Sequence, residues 1–383
     1  MALKTFGLAA LSLAPIAYGA VFDLPVIVYN GYKLIELNIG TPARPYRLLF
    51  DTGSTSTWIV DKECGEHCNN VSGFERIGYD ITASSTGNYT GQEASIDYLG
   101  GRVAGLTVSD KLTIGDVSSD QLFIAANESN WAALPAHGFL GLAFNSIADG
   151  GATPIFETLM AQKLVDEPRF GIYYDQTGKD SPEGGHGQGL LTLGGSRQDK
   201  YVDGEMTKVP LLRRAGGYDV WRSTLYSGKG KQVTSNGTEV ESSIDFSWGN
   251  IVFDTGASSM SLSPDKIEDV YASIGMNWTA IITGKHIPLC SEFTDKWSFT
   301  LVVGNYDNKK ELTVTGDQLK LPGFANREDA CWPPFDDSGA NGFSLIGTRF
   351  LRNFYTVWDY GTNPSEDEYY SASLWFGKLK AED

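Results

Sequence analysis

The chain has 383 residues, a formal net charge of −17 and a pI near 4.7, with 41% hydrophobic and 12% aromatic residues. That length supports two lobes with full cores. The acidic balance excludes a nucleic-acid binder, and few basic groups mean little positive self-repulsion at low pH.

In chain order, residues 1–20 read as a secretory signal peptide. Lys4 gives a short positive region, Phe6 to Ala17 is apolar, and small Gly19 and Ala20 fit cleavage. Twelve apolar residues cannot cross a bilayer that needs roughly 20. The polar end Lys380 to Asp383 argues against a lipid-anchor tail, so no membrane anchor is expected. Val21 to Gly31 reads as a first strand. Alternating runs at Tyr32 to Ile39 and Tyr46 to Phe50 read as further strands, and 44 glycines fit many tight turns.

The second of these runs ends in Phe50-Asp51-Thr52-Gly53-Ser54, and Trp58 follows. Ser95 to Gly101, with Tyr98 and Gly100 near its tip, reads as a hairpin. Phe139-Leu140-Gly141 reads as a buried strand bending closely past another backbone. Pro154 to Lys163 and Pro264 to Ile274 carry short helical apolar faces. Asp175 to Gly189 is Gly-rich and polar, a surface loop. The junction between halves falls near residues 196–206, dividing residues 21–200 from 201–383. Phe253-Asp254-Thr255-Gly256-Ala257 then repeats the first motif 203 residues later (254 − 51), with Leu345-Ile346-Gly347 as its downstream partner. The whole is all-β with minor helices.

Four cysteines, Cys64, Cys68, Cys290 and Cys331, fit an oxidising compartment and allow three pairings. A Cys/His metal site using His67 has too few good ligands. Five sequons, at Asn70, Asn88, Asn127, Asn236 and Asn277, are glycosylation candidates and agree with secretion.

One Asp-Thr-Gly alone is common turn chemistry. Two copies, each with a matching downstream partner, read as the duplication of a large unit. A two-fold axis would bring Asp51 and Asp254 face to face. Two carboxylates about 3 Å apart cannot both ionise, so one is a base and the other an acid, and a water between them becomes a nucleophile.

With these motifs in place the chain resembles the pepsin-like aspartic proteases over nearly all of its length. The resemblance rests on Ile39-Gly40-Thr41-Pro42, both Asp-Thr-Gly motifs, Trp58, Ser84-Ser85-Thr86 and the Tyr98 hairpin. It continues through Gly138 to Phe144, Leu193-Gly194-Gly195, Leu345 to Asp359 and Leu374 to Gly377. It implies a bilobal fold of two pseudo-symmetric β-barrel-like lobes with a cleft between them. It also implies a monomeric endopeptidase acting on polypeptides, with hydrophobic residues preferred around the cut, secreted or held in an acidic secretory compartment. Asp51 and Asp254 would be the catalytic dyad. Thr52 and Thr255 would lock the two turns together, Gly53 and Gly256 would open them to backbone N–H groups, and Ser54 would donate to Asp51. Tyr98 and Gly100 would belong to a flap over the cleft, with Trp58 as the partner of Tyr98. The same resemblance implies one local disulfide per lobe, Cys64–Cys68 and Cys290–Cys331.

Four departures stand out. Ala257 replaces the commoner Thr or Ser, which should raise the pKa of the pair. Leu99 stands at the flap where many relatives have Gly. His137 stands where many have Asp and reads as a packing change. Relatives usually carry a basic prosegment of several tens of residues, yet only 30 positions separate Val21 from Asp51 (51 − 21). No Gly-x-Ser-x-Gly, His-Glu-x-x-His or phosphate loop is present, and no cofactor or metal is implied. The alternative reading is a binding protein on the same scaffold that cleaves nothing.

Overall fold

The computed structural model describes residues 19–175, 188–214, 217–362 and 370–381. Most of the signal-peptide stretch and of the Asp175–Gly189 loop lies outside them. Among the described residues the strands form three sheets. An eight-stranded sheet runs from Ile27–Tyr29 to Gly138–Gly141, and its outer edge is the hairpin of Asn88–Asp97 and Arg102–Ile114. A seven-stranded sheet is built from Arg222–Val233, Glu239–Phe253, Trp297–Asn305, Phe343–Ile346 and their neighbours.

The third sheet has six strands, three from each half. Phe22–Pro25, Gly189–Leu193 and Arg169–Tyr174 meet Phe354–Asp359, Ser373–Lys378 and Thr207–Pro210. The two halves join where Phe170 pairs with Trp358. The reading of Val21 to Gly31 as a single strand does not anticipate this sheet. The segment divides instead, with Phe22–Pro25 in the shared sheet and Ile27–Tyr29 in the eight-stranded one. Between them Val26 N–H donates to Gly189 O at 3.0 Å.

The duplication is visible in strand direction. Arg44–Asp51 lies parallel to Gly138–Gly141, with Asp51 opposite Gly141. Glu239–Phe253 lies parallel to Phe343–Ile346, with Phe253 opposite Ile346. Parallel pairing needs a long crossover between partners, which is why each Asp-Thr-Gly and its partner are about 90 residues apart (141 − 51, 347 − 254). At Gly141 an added Cβ would stand 2.0 Å from Thr55 O, and at Gly347 it would stand 2.5 Å from both Ala257 O and Ser259 O. Only glycine fits such crossings.

Both expected helices form, as Ile155–Ala161 and Ile267–Ser273, and each turns its apolar residues into the core. Beneath the junction lies an aromatic cluster drawn from both halves. Trp221 packs on Phe144 (4.8 Å), Trp358 (5.2 Å) and Tyr360 (5.3 Å), and its Nε1 donates to Leu142 O at 2.9 Å. The cysteines pair as Cys64–Cys68 and Cys290–Cys331, with Cα–Cα distances of 5.6 and 4.8 Å.

Candidate active site

Each apolar strand delivers its Asp to the end of a sheet, and the Thr-Gly that follows turns the chain. Leu142 N–H donates to Asp51 O at 2.8 Å and Asp254 N–H to Ile346 O at 2.9 Å. The two turns then grip one another with near two-fold symmetry. Thr52 N–H donates to Thr255 Oγ1 and Thr255 N–H to Thr52 Oγ1, both at 3.0 Å. The Thr52 hydroxyl donates to Phe253 O (3.1 Å) and the Thr255 hydroxyl to Phe50 O (2.9 Å). Both threonines are buried, so these four bonds are shielded from water and fix the turns rigidly.

This lock brings Asp51 and Asp254 into hydrogen-bond contact. Space between the turns is minimal. A Cβ on Gly53 would stand 2.5 Å from Asp254 Oδ2, and one on Gly256 would stand 2.5 Å from Asp51 Oδ1. Gly53 N–H donates to Asp51 Oδ1 (2.8 Å) and Gly256 N–H to Asp254 Oδ1 (2.7 Å). The symmetry breaks at the next residue. The Ser54 hydroxyl donates to Asp51 Oδ2 in a short contact, whereas Asp254 receives only the Ala257 backbone. Burial above all, then the charge of Asp51, pushes the Asp254 carboxyl well above the usual carboxylate range.

The carboxylates open on a cleft of about 840 Å³ between the eight- and seven-stranded sheets. Its walls are mainly apolar, with Phe139 and Ile147 on one side and Val220, Val252, Leu321, Phe343 and Leu345 on the other. The Asn88–Asp97/Arg102–Ile114 hairpin covers it. Its tip closes through Tyr98 N–H to Gly101 O at 2.7 Å, and Leu99 is 82% exposed there. The Tyr98 ring leans on Phe139 (5.2 Å) and Trp131 (5.6 Å), while Trp58 stacks on Phe139 at 5.1 Å. The Tyr98 hydroxyl faces Trp58, Ser54 and Asp51. Neither Tyr98 Oη nor Trp58 Nε1 makes a well-formed hydrogen bond among the described residues. Burial and the nearby Asp51 charge push the phenol upward.

Trp131 is the residue that the pattern did not reveal. It stands outside every motif, yet its ring lies 2.8 Å from where a Cβ of Gly100 or of Gly101 would be. The Gly-Gly pair, legible in sequence as flexibility, is also the space that admits this ring. Tyr174 was equally hidden. It is buried, stacks on Phe50 at 6.3 Å and is close enough to Asp254 to feel its charge. His137 lies away from the cleft lining, wedged between the rings of Tyr46 (5.5 Å) and Phe74 (5.0 Å), as a packing residue would. All five sequon asparagines are exposed.

The family model for eukaryotic aspartyl protease matches residues 32–366 of the 383. The chain belongs to that family. This aspartyl protease is 29% identical over 351 residues to the vacuolar aspartic protease of Candida albicans, covering 90% of the chain and 77% of that protein. It is 29% identical over 348 residues to vacuolar protease A of Neurospora crassa, covering 87% and 77%. Cathepsin D of Gallus gallus is 27% identical over 332 residues, covering 85% and 77%. An aspartic-type endopeptidase and a bilobal all-β fold follow from that membership.

Proposed function

We propose that Asp51 and Asp254 are the catalytic pair of this endopeptidase. The observation that carries the reading is their hydrogen-bonded contact at the centre of the Thr52–Thr255 lock. Asp254, disfavoured as an anion by burial and by Asp51, holds the shared proton. Asp51, which accepts from Ser54 and Gly53, is the base. A water between them loses a proton to Asp51 and attacks the scissile carbonyl, while Asp254 protonates the carbonyl oxygen. The gem-diol collapses as a proton passes to the leaving amine. No covalent intermediate forms. Thr52 and Thr255 keep the geometry fixed, and Tyr98, Gly100 and Trp58 belong to the lid that shields the reaction from bulk water.

The apolar cleft walls support a preference for hydrophobic side chains around the cut. The two lobes are residues 21–200 and 201–383. What supports this division is that the eight- and seven-stranded sheets each draw on one side of it alone. An acidic compartment of the secretory pathway is the workplace that two disulfides, exposed sequons and vacuolar-named relatives favour. Among the described residues no helix is long and apolar enough to cross a membrane. The protease acts as a monomer on polypeptides.

Asp51→Asn and Asp254→Asn are each expected to abolish cleavage of denatured casein at acidic pH, with the fold kept by circular dichroism. Wild-type cleavage should stop with pepstatin. Undiminished cleavage in either variant overturns the assignment, and pepstatin binding by a wild type that cleaves nothing selects a binding protein instead.

A further inference from the structure

The strand Val117–Ser129 carries one residue too many for its partner Arg102–Ile114. Ala104 faces Glu128 and Gly105 faces Ala126, which leaves Asn127 as the extra, bulged position. Bulges re-aim side chains, and this one sets an exposed Asn127 on a second cleft of about 480 Å³. That cleft runs along the back of the flap. Its polar groups are Glu93, Ser95 and Arg102 of the flap hairpin and Asp149 from the facing loop. They are already interlinked, with Arg102 Nη2 donating to Ser95 Oγ (3.0 Å) and Ser95 N–H to Asp149 Oδ2 (3.2 Å). The chain just after Asn127 is tied to the same hairpin, since Arg102 N–H donates to Asn130 Oδ1 (2.6 Å) and Asn130 N–H to Arg102 O (3.2 Å). Asn127-Glu128-Ser129 is a sequon.

We propose that Asn127 carries an N-linked glycan whose first sugars seat in this cleft and tie the flap to its neighbouring strand. Carboxylates and a guanidinium around a polar groove supply the acceptors and donors that sugar hydroxyls need. The modification comes from a lipid-pyrophosphate-linked oligosaccharide. Asn127 Nδ2 bonds to the anomeric carbon, the bond from that carbon to the pyrophosphate oxygen breaks, and the pyrophosphate leaves with the electron pair. The amide loses one proton. A bulged, exposed asparagine leaves the folded strand pairing intact with the glycan in place. The sugars bridge flap residues to Asp149 and narrow the range of lid opening. The proposal rests on passage through the secretory pathway, as inferred above.

The test is the full chain secreted from a eukaryotic host, with glycopeptide mass spectrometry at every sequon. Hydrogen–deuterium exchange of wild type, Asn127→Gln and Asn236→Gln completes it. Asn127 is expected to be occupied. Exchange at residues 95–102 is expected to rise several-fold in Asn127→Gln and not in Asn236→Gln. Amidase deglycosylation of folded Asn236→Gln, which leaves Asp at position 127, should reproduce the rise. A chain glycosylated at Asn70 or Asn236 but bare at Asn127 overturns this proposal alone, as does an occupied Asn127 with unchanged flap exchange. A chain bare at all five sequons overturns the secretory reading and the proposal together.

Discussion

A single hydroxyl separates the two halves of the proposed catalytic pair. Ser54 donates to Asp51, but Ala257 has no hydroxyl to offer Asp254. A donor to a carboxylate is worth about 1.5–3 kcal/mol, which is on the order of one pKa unit or more. Ala257→Thr is therefore expected to move the alkaline limb of the kcat/KM–pH profile, which reports loss of the proton held on Asp254, downward by about one unit, and an unmoved limb would reject this account of the asymmetry. His137 is the second residue with a pH consequence. Its Nδ1 lies 2.8 Å from Arg47 N–H and 3.2 Å from Arg47 O, and the shorter contact makes it an acceptor on a neutral ring. Burial, helped by Arg47 and Arg76, holds the imidazole down to about 4 from an ordinary 6.5. Between those values the unfolded chain takes a proton that the folded one refuses. Stability is thus lost as pH falls from about 6.5 to 4, by up to about 3 kcal/mol. Glu157, whose buried carboxyl is pushed upward, acts in the opposite sense, so the contribution of His137 needs a difference measurement. His137→Asn keeps an acceptor for Arg47 but does not protonate. Its melting temperature should fall less than that of the wild type between pH 6.5 and 4.

At the scale of an element, the flap shows where sequence pattern ends. Strand alternation and Gly100-Gly101 marked the hairpin, and the resemblance to the pepsin-like proteases marked Trp58. Trp131 follows no period and no turn rule, because its role depends on chain crossings distant in sequence. The same holds for the shared six-stranded sheet, whose strands come from the start, the middle and the end of the chain. By contrast the Asp-Thr-Gly turns were legible, since tight backbone geometry demands residue types that few other sequences supply. Trp131 contacts the Tyr98 and Phe139 rings at 5.6 and 5.0 Å, and aromatic pairs contribute about 0.5–1.5 kcal/mol each. Trp131→Ala should lower kcat/KM on a peptide substrate about tenfold by loosening the lid. The pH profile should stay in place, because the carboxylates keep their donors. A shifted profile would mean that Trp131 acts on the dyad instead.

Across the whole molecule, the lobes meet in the shared six-stranded sheet, at the Thr52–Thr255 lock and in the aromatic cluster beneath that lock. Trp221 joins them. Its indole donates to Leu142 O, and Leu142 N–H in turn donates to Asp51 O. Its ring is fully buried against Phe144 and Phe170 of the first half and Trp358 and Tyr360 of the second. Removing it opens a cavity at the seam, so Trp221→Ala should cost about 3–5 kcal/mol in denaturant unfolding. Trp221→Phe keeps an aromatic ring and loses the donor, and should cost nearer 1–3 kcal/mol because Leu142 O keeps only a long contact from Tyr360 Oη at 3.5 Å. The two variants divide stability from catalysis. If the seam positions Asp51, Trp221→Phe should lower kcat while KM holds, at temperatures where the protein remains fully folded. An unchanged kcat in a folded Trp221→Phe would confine the cluster to holding the lobes together and leave alignment of the carboxylates to the threonine lock alone.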